Sequence, residues 1–336
     1  HFNYKKKDIS CKYFWDDGTK LSAYSDKIKF TKEIENILGV KQSIVSAYLL
    51  KAKKKYELTK RMFLEQSLHK LKTYFTKDLL NGVFNIFSFQ INKTLNQVNA
   101  SELKEPHLVQ LFNRFATYNG SSPYKTPGMM TLVQHLEQEY GTFVSDKGMQ
   151  NITNSLYNLA LRQGVDFKFN NYVSEILVSN KIATGIKVGD KTYESDIVIS
   201  NMDVVPTYRN LLKNHYQPEK ILNQERSSSA LIFYWGVKKE FKNLDLHNIF
   251  FSKDYKTEFQ TIFENNTISV DPTIYINITS KDVKGDAPIN CENWFVMINS
   301  PNDSGQDWDN MIDQVKSNVI KKINKILKVN IEDFIE

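Results

Sequence analysis

The stretch Phe112–Met130, FNRFATYNGSSPYKTPGMM, joins an aromatic and basic segment to a turn rich in Asn, Gly, Ser and Pro. Gly and Pro interrupt helices, so the stretch is too broken and too polar to be a core helix. It also carries more large aromatic side chains than a solvated linker needs. We therefore interpret it as part of a functional site rather than as a connecting loop.

The composition predicts a soluble globular protein with a substantial core. The chain has 336 residues, 41% hydrophobic and 24% charged, which allows one large or two ordinary domains. The formal net charge of +6 is most simply explained by a lysine-rich solvated surface, and attraction to anionic lipid headgroups is the alternative. Neither a zinc-type Cys and His spacing nor an RNA-binding motif occurs, so nucleic acid is not an expected partner.

Cysteine usage and hydropathy bear on location. Cys11 and Cys291 are far apart in sequence, so no disulfide framework is indicated and a reducing compartment is expected. No run reaches the ~18 apolar residues of a membrane span, so any membrane association is expected to be peripheral. The chain starts at His1 and ends in an apolar-periodic segment without a stop signal. We expect it to be truncated at both ends.

The first third of the chain predicts a hairpin followed by helices. Tyr13–Tyr24 resembles two strands joined at Asp16-Asp17-Gly18, and Ser25 is a candidate cap for a helix that continues through Leu38. From residue 41 to about 110 the pattern is helical. This region holds a basic cluster and a wide apolar face, namely Lys51, Lys53, Lys54 and Lys55, and Leu79, Leu80, Val83, Phe84, Ile86, Phe87 and Phe89. The face either packs within its own domain, which is more common, or meets lipid or a long hydrophobic substrate.

The remainder predicts helices and then a meander of short strands, which together indicate an α/β domain with an antiparallel layer. Helices are expected at Thr131–Tyr140, Lys147–Arg162 and Val205–Leu212, with a final amphipathic helix from Asp307. Strands are expected at Asp166–Phe169, Val173–Val178, Ala183–Val188, Lys191–Glu194, Ile197–Ser200, Ser229–Val237, Thr273–Thr279 and Trp294–Ile298. Asn180 and Gly189-Asp190 supply turns.

Several enzyme classes find no support in the motifs. The histidines are scattered without metal-ligand spacing, and each is most simply structural or at the surface. There is no Gly-x-Ser-x-Gly elbow, no P-loop and no local motif of a nucleophilic cysteine. A Gly-x-Gly-x-x-Gly dinucleotide fingerprint is also absent, and the closest glycine pair, Gly185 and Gly189, lies in a predicted hairpin. The expected truncation weakens this last exclusion, because such motifs usually open a chain.

Three further sets of segments follow the opening stretch in a fixed order. They are Gly148-Met149 with Gly164–Phe167 and the Val173-x-x-Ile176 strand; Asp196–Asp203; and His247–Ser252 with Asp271-Pro272-Thr273 and Glu292–Phe295. In this order they resemble the FAD-dependent carotenoid desaturases of the bacterial phytoene desaturase type, over nearly the whole chain. The resemblance implies an α/β, amine-oxidase-like, Rossmann-type flavoprotein scaffold with an antiparallel β-sheet substrate domain and a helical membrane-facing lid.

The resemblance also implies an activity and its residues. In this family a long polyene lies in a hydrophobic tunnel beside FAD, and a carbon–carbon single bond is oxidised to a double bond. Arg114, Tyr118 and Asn119 are the implied catalytic residues at the reacting end of the tunnel. Arg114 either stabilises negative charge on the reduced flavin or pairs with a carboxylate. Tyr118 is alternatively an ordinary core residue, and Asn119 alternatively a turn residue.

Five residues are implied in cofactor binding, namely Gly148, Met149, Val173, Ser200 and Asn201. Lys147 stands where relatives commonly have the first of two glycines, which argues against close approach of the backbone there. Val173 corresponds to a residue whose backbone meets the adenine in related flavoproteins. The glycine-rich FAD motifs found near both ends of the family are absent from this chain, and no metal is expected.

The implied domain organisation is a substrate domain in residues 1–40 and 204–336, a helical lid and tunnel in 41–130, and part of the FAD-binding domain in 131–203. The expected substrate is a phytoene-like or a hydroxylated carotenoid, the latter undergoing 3,4-desaturation. A carotenoid isomerase and a non-catalytic carotenoid- or lipid-binding module are the alternatives. The expected location is the cytoplasm, with peripheral attachment to inner-membrane lipid.

Overall fold

The computed structural model describes residues 2–63 and 89–336, together with the single positions 65, 67 and 70. The chain divides into two compact units, the first formed by His1–Thr153 and Ser227–Glu336, the second by Asn154–Arg226. The functional domains predicted from the sequence, with boundaries at residues 40, 130 and 203, are not tested by this division and stay predictions.

Strands and helices occur in runs along the chain. The strands are β1 (Tyr4–Lys6), β2 (Ile9–Phe14), β3 (Lys20–Tyr24), β4 (Phe143–Ser145), β5 (Val173–Ser179), β6 (Ile182–Val188), β7 (Lys191–Glu194), β8 (Ser229–Val237), β9 (His247–Phe250), β10 (Ile274–Asn277) and β11 (Glu292–Ser300). The α-helices are α1 (Lys27–Leu38), α2 (Gln42–Phe63), α3 (Leu95–Leu103), α4 (Pro106–Asn113), α5 (Val133–Tyr140), α6 (Gln150–Arg162), α7 (Val204–Pro206), α8 (Glu219–Leu222), α9 (Tyr255–Phe263) and α10 (Trp308–Leu327).

A six-stranded sheet forms the centre of the first unit, in the order β3-β2-β9-β10-β11-β8. Strands β2 and β9 run parallel, and the other neighbours are antiparallel. Because successive side chains of a strand point to opposite faces, the sheet has two cores. One face packs on helices α1, α2 and α4 through Tyr13, Phe251 and Phe112, among others. The other face packs on α10 through residues that include Trp294 and Val319.

The helices of the first unit begin and end at recognisable caps. Helix α1 is capped by Asp26, whose side chain accepts a hydrogen bond from Lys29 N, and it ends at Gly39 with φ +70°. The predicted cap Ser25 is therefore wrong, and its hydroxyl donates to Lys7 O instead. The final helix begins after Asp307 as predicted, because the Asp307 side chain accepts from Asn310 N.

The helical pattern predicted for residues 41–110 is not one continuous helix. A break separates α3 from α4, where Lys104 has φ +63° and Pro106 occupies the first turn of α4. Of the predicted apolar face, Phe89 is buried, and the other residues lie outside the described part of the chain. Lys55 of the predicted basic cluster is also buried, with Nζ donating to Gln90 Oε1 at 2.7 Å and to Thr131 Oγ1 at 2.9 Å.

The second unit contains the predicted meander, an antiparallel sheet in the order β5-β6-β7. Its turns fall at Asn180 and Gly189, as predicted, and both residues have positive φ. The strands predicted at Asp166–Phe169 and Ile197–Ser200 are wrong. No strand of the described residues pairs with either segment, although Asp166–Phe169 alternates polar and apolar side chains and Ile197–Ser200 begins with three consecutive apolar residues. Across residues 2–63 and 89–336, no helix combines the length and the apolar character that crossing a bilayer requires.

We predict that Gly185→Ala weakens the second unit. A Cβ at Gly185 in β6 would lie 2.1 Å from the backbone oxygen of Tyr193 in β7, so the two strands must separate. The expected cost is about 1–3 kcal/mol, measured as faster hydrogen exchange of β5–β7 by mass spectrometry. Gly236→Ala is the matched control, because its Cβ would meet nothing nearer than 3.9 Å. Unchanged exchange in Gly185→Ala would contradict the pairing of β6 with β7.

A second prediction concerns acid. Asp282 contacts Lys7 Nζ at 2.6 Å and Lys5 Nζ at 2.9 Å. Burial opposes its ionisation, but the two ammonium groups outweigh burial and hold the pKa of Asp282 below its usual value. The carboxylate therefore adds stability above its unfolded pKa, about 4, and this stability is lost as the pH falls through the lower folded pKa.

We expect Asp282→Asn to lower the free energy of unfolding at pH 7 and to flatten its fall below about pH 4. Urea unfolding across this range measures both effects. Asp313→Asn removes an exposed carboxylate of α10 and should keep the wild-type slope. An Asp282→Asn curve parallel to that of the wild type would refute the assignment.

Candidate functional site

A 3-10 helix, Arg114–Asn119, follows α4 directly and carries the cation of the site. Phe112 and Phe115 are buried on either side of Arg114 and fix the segment in the core. The segment ends at Gly120, where φ is +58° and a Cβ would lie 2.7 Å from Ser227 Cβ. Glycine is therefore required at the turn that the sequence predicted there.

The Arg114 guanidinium is buried and bonded on three sides. Nε donates to Tyr13 Oη at 2.7 Å, and Nη2 donates to both carboxylate oxygens of Glu137 at 3.1 and 3.0 Å. Nη1 lies 3.3 Å from Tyr118 Oη, which in turn donates to Glu137 at 3.2 Å. Burial opposes the charge, but Tyr13 and Glu137 outweigh it and raise the pKa of Arg114 well above its usual value.

A cavity of about 420 Å³ opens beside Arg114, a size common for small-molecule sites. Its floor is the face of the central sheet on which Ile249, Tyr275 and Met297 lie side by side in register across β9, β10 and β11. Burial raises the pKa of the Cys11 thiol, which also lines the cavity, to about 12, so this thiol is neutral. The full lining is Ser10, Cys11, Arg114, Thr117, Tyr118, Glu137, Thr142, His247, Ile249, Tyr255, Thr273, Tyr275, Met297 and Asn299.

His247 is a second polar feature of the cavity. Its Nδ1 lies 2.7 Å from Tyr275 Oη and 3.2 Å from the amide nitrogen of Asn277. Because an amide nitrogen only donates, Nδ1 is the acceptor and the proton of the neutral ring is on Nε2. Burial lowers the pKa of His247 to about 4, so the ring is neutral at pH 7.

The structure brings two of the three predicted catalytic residues to the cavity. Arg114 and Tyr118 line it, and the carboxylate partner considered for Arg114 is Glu137. Asn119 is exposed and does not line the cavity. The catalytic roles of all three stay predictions.

The predicted cofactor-binding residues are divided between the two units. Gly148 and Met149 lie in the first unit, where Gly148 has φ +72° and Met149 is exposed. Val173, Ser200 and Asn201 lie in the second unit. There Val173 opens β5, and the Ser200 hydroxyl is 2.8 Å from Thr207 Oγ1. Their roles in binding the cofactor also stay predictions.

Glu137, His247 and Tyr275 are cavity residues that the sequence did not indicate. Glu137 is one of several acidic residues on a predicted helix, and nothing local marks it. His247 was interpreted as structural or at the surface, although it lies in one of the segments that carry the family resemblance. A strand predicted over His247–Phe250 would have placed His247 on the same face as Ile249, because side chains alternate.

Comparison with known proteins identifies the class. Residues 4–239 match the model of the flavin containing amine oxidoreductases. The chain is 51% identical over 335 residues to a 1-hydroxycarotenoid 3,4-desaturase of a Flavobacterium species, covering 100% of this chain and 68% of the relative. It is 27% identical over 351 residues to a phytoene desaturase of Fusarium fujikuroi, covering 96% of this chain and 60% of the relative. A solved oxidoreductase from Methanosarcina mazei shares the fold with a TM-score of 0.52 at 14% identity, covering 80% of this chain and 60% of that one.

The chain therefore belongs to the flavin containing amine oxidoreductases and, among them, to the carotenoid desaturases. This confirms the family, the α/β flavoprotein fold class and the FAD-dependent oxidoreductase class that the sequence predicted. The family implies a flavin of the FAD type. The chain spans about two thirds of the length of these relatives.

The cavity fits the substrate side of a flavin site, since its cation is neutralised by Glu137 and its floor is aliphatic and aromatic. The residues present do not fit the diphosphate half of FAD, because the sequence has no Gly-x-Gly-x-x-Gly whose backbone would approach it. Among the described residues no His, Cys, Asp and Glu cluster could hold a metal ion.

We predict that Glu137→Gln destabilises the first unit by about 3 kcal/mol, because it leaves the buried Arg114 charge without its counter-ion. Urea unfolding measures the change. Glu139→Gln, on the same helix, is the control. Glu139 pairs with Lys27 and Lys53, whose side chains are 44% and 45% exposed, and loss of the Glu139 charge should cost less than about 1 kcal/mol. Equal effects of the two substitutions would contradict the buried pair.

Proposed function

We propose that the protein desaturates a linear carotenoid with a hydroxyl group near one end, forming the double bond between carbons 3 and 4. The observation that carries the proposal is the cavity beside Arg114, whose floor is apolar and in whose wall the Arg114 charge is neutralised by Glu137. The identity of 51% to a relative named as a 1-hydroxycarotenoid 3,4-desaturase supports this choice over a phytoene-like substrate.

The floor of the cavity suits a conjugated hydrocarbon. Ile249, Tyr275 and Met297 present aliphatic, aromatic and thioether surface in one row, and burying such surface contributes about 25 cal/mol per Å² of apolar area. The pairing of Arg114 with Glu137 matters here, because an unpaired charge in the wall would hold water against the hydrocarbon part of the substrate. The residues of this chain thus bind the polyene end and exclude water from it.

The proposed roles of the site residues follow from these contacts. Arg114 and Tyr118 border the end of the chain that reacts, with Arg114 positioning the Tyr118 ring through Glu137. We propose that Asn119, which does not line the cavity, contributes indirectly by positioning the turn at Gly120. We retain Gly148 and Met149 of the first unit, and Val173, Ser200 and Asn201 of the second, as proposed contacts to FAD.

Carotenoids are apolar, so the proposal includes delivery of the substrate from membrane lipid to a cytoplasmic protein attached to the inner membrane. The support is the net charge of +6. The basic cluster on α2 contributes less than the sequence suggested, because Lys51 pairs with Glu102, Lys53 pairs with Glu139 and Lys55 is buried. Binding to anionic vesicles that weakens as salt is raised would support the lipid partner.

The direct test is to incubate the full-length protein with FAD and liposomes that contain a 1-hydroxylated carotenoid. We expect a product that has lost two hydrogen atoms and absorbs at longer wavelength, because conjugation is extended by one double bond. A product of unchanged mass would indicate an isomerase. Binding without any product, in a preparation that holds flavin, would indicate a carotenoid-binding module. Either result contradicts the proposal.

We predict that filling the cavity blocks turnover. Met297→Trp adds a large ring to the floor beside Tyr275 and should lower kcat/KM for the carotenoid at least tenfold, because the substrate end cannot lie over the strand. Ile289→Trp, at a surface position where the side chain is 90% exposed, should retain wild-type turnover. Thermal denaturation confirms that both variants are folded. Full activity in a folded Met297→Trp protein would place the substrate elsewhere.

A further inference from the structure

Most polar groups around the cavity already bond one another. Arg114, Glu137 and Tyr118 form a closed set, and Thr117 Oγ1 donates to Arg114 O at 2.7 Å. A substrate hydroxyl that competed for these groups would break bonds that keep the Arg114 charge neutralised. Its recognition is therefore expected at the other polar features of the cavity.

One of the two ring nitrogens of His247 makes hydrogen bonds to other described residues, and the second is available to a ligand. Nδ1 accepts from Tyr275 and Asn277, which fixes the ring orientation and leaves the proton on Nε2. No residue of the described part of the chain bonds Nε2. Because the ring is already held in one orientation, its N–H loses little conformational entropy when it donates to an oxygen.

The surroundings of His247 are apolar on the side of the cavity floor. Ile249 lies two residues further along β9, on the same face, and Tyr275 and Met297 continue the row. One donor beside aliphatic surface suits an alcohol flanked by carbon groups. It would suit neither a carboxylate nor a phosphate, because the cation of the cavity, Arg114, is already paired with Glu137.

The chemistry of the proposed reaction requires such a group close to the reacting carbons. A hydroxyl on carbon 1 is three bonds from carbon 3, a separation of about 4 Å, as between consecutive Cα atoms. The group that binds the hydroxyl must therefore lie in the same cavity as the reacting bond. His247 and Arg114 both line the cavity of about 420 Å³.

We propose that His247, held by Tyr275 and Asn277, is the specificity-determining residue that donates Nε2–H to the hydroxyl oxygen of the carotenoid. The inference rests on the proposed function and adds the reason for a hydroxylated substrate. The carotenoid without the hydroxyl leaves this donor buried and unpaired, which costs free energy that the hydroxylated substrate does not lose. Asn299 also lines the cavity, but among the described residues its side chain has no comparable support.

The test compares two substrates, a 1-hydroxylated carotenoid and the same carotenoid without the hydroxyl, in the full-length protein with FAD. The measured quantity is the ratio of their kcat/KM values. Equilibrium binding of each carotenoid, followed by quenching of intrinsic fluorescence, gives a readout that does not depend on turnover. We expect the wild type to prefer the hydroxylated carotenoid in both measurements.

His247→Phe should lower the preference about tenfold, the worth of one hydrogen bond to a buried donor, chiefly through slower use of the hydroxylated carotenoid. His247→Gln restores an N–H donor and should keep most of the preference. It therefore serves as the control that separates loss of the donor from misfolding caused by substitution at this position. His215→Phe, the same substitution at an exposed histidine of the second unit, should leave the ratio unchanged.

The outcomes separate the inference from the proposed function. A wild type that binds and converts neither carotenoid overturns both. A wild type that prefers the hydroxylated carotenoid, with the preference intact in His247→Phe, overturns the inference alone. Loss of the preference in Asn299→Leu but not in His247→Phe would assign the recognition to Asn299 instead.

Discussion

The first unit depends on one buried cation. Arg114 joins the central sheet through Tyr13 of β2, the 3-10 segment through Tyr118, and helix α5 through Glu137. Removing a guanidinium from water is costly unless its donors are bonded, and here the three partners come from three separate elements. The Phe115 ring, 4.4 Å from the guanidinium carbon, covers it further. The same interaction therefore stabilises the fold and shapes one wall of the cavity.

The central sheet explains why a cavity can lie against a packed core. On β11, Trp294, Val296 and Ile298 are fully buried and face α10, while Met297 and Asn299 alternate with them and reach the cavity. The α10 side supplies the packing, so the opposite face of the same strands can leave a space for a ligand. Tyr275 contributes to that second face in two ways. Its hydroxyl group contacts His247 Nδ1, and its ring forms part of the cavity floor.

Local patterns in the sequence predicted much of the fold. Short runs rich in apolar and β-branched residues marked β5, β6, β7 and β8, and turn residues marked the connections between β5, β6 and β7, since both signals depend on neighbours in sequence. Ile197–Ser200 shows the limit of this approach, because its short apolar run is typical of a buried strand but no described strand pairs with it. Pairing depends on residues far away in sequence, and a local pattern alone does not supply the partner.

The site was predictable in part, and through resemblance more than through spacing. Arg114 and Tyr118 lie in a stretch whose aromatic residues and turn set it apart, and both reach the cavity. Glu137 lies 23 positions after Arg114 on an unremarked helix, and His247 meets its partner Tyr275 only because β9 pairs with β10. Contacts made across the sheet or between separate elements cannot be predicted from the residues that neighbour them in the sequence.

We propose, above all, that the hydroxylated end of a carotenoid lies between Arg114 and His247 on the face of the sheet. An experimental structure of the full-length protein with FAD and a 1-hydroxylated carotenoid measures this directly. We expect the substrate oxygen to lie within hydrogen-bond distance of His247 Nε2 and the polyene to lie over Tyr275 and Met297. A carotenoid bound elsewhere, with ordered water in this cavity, would contradict it.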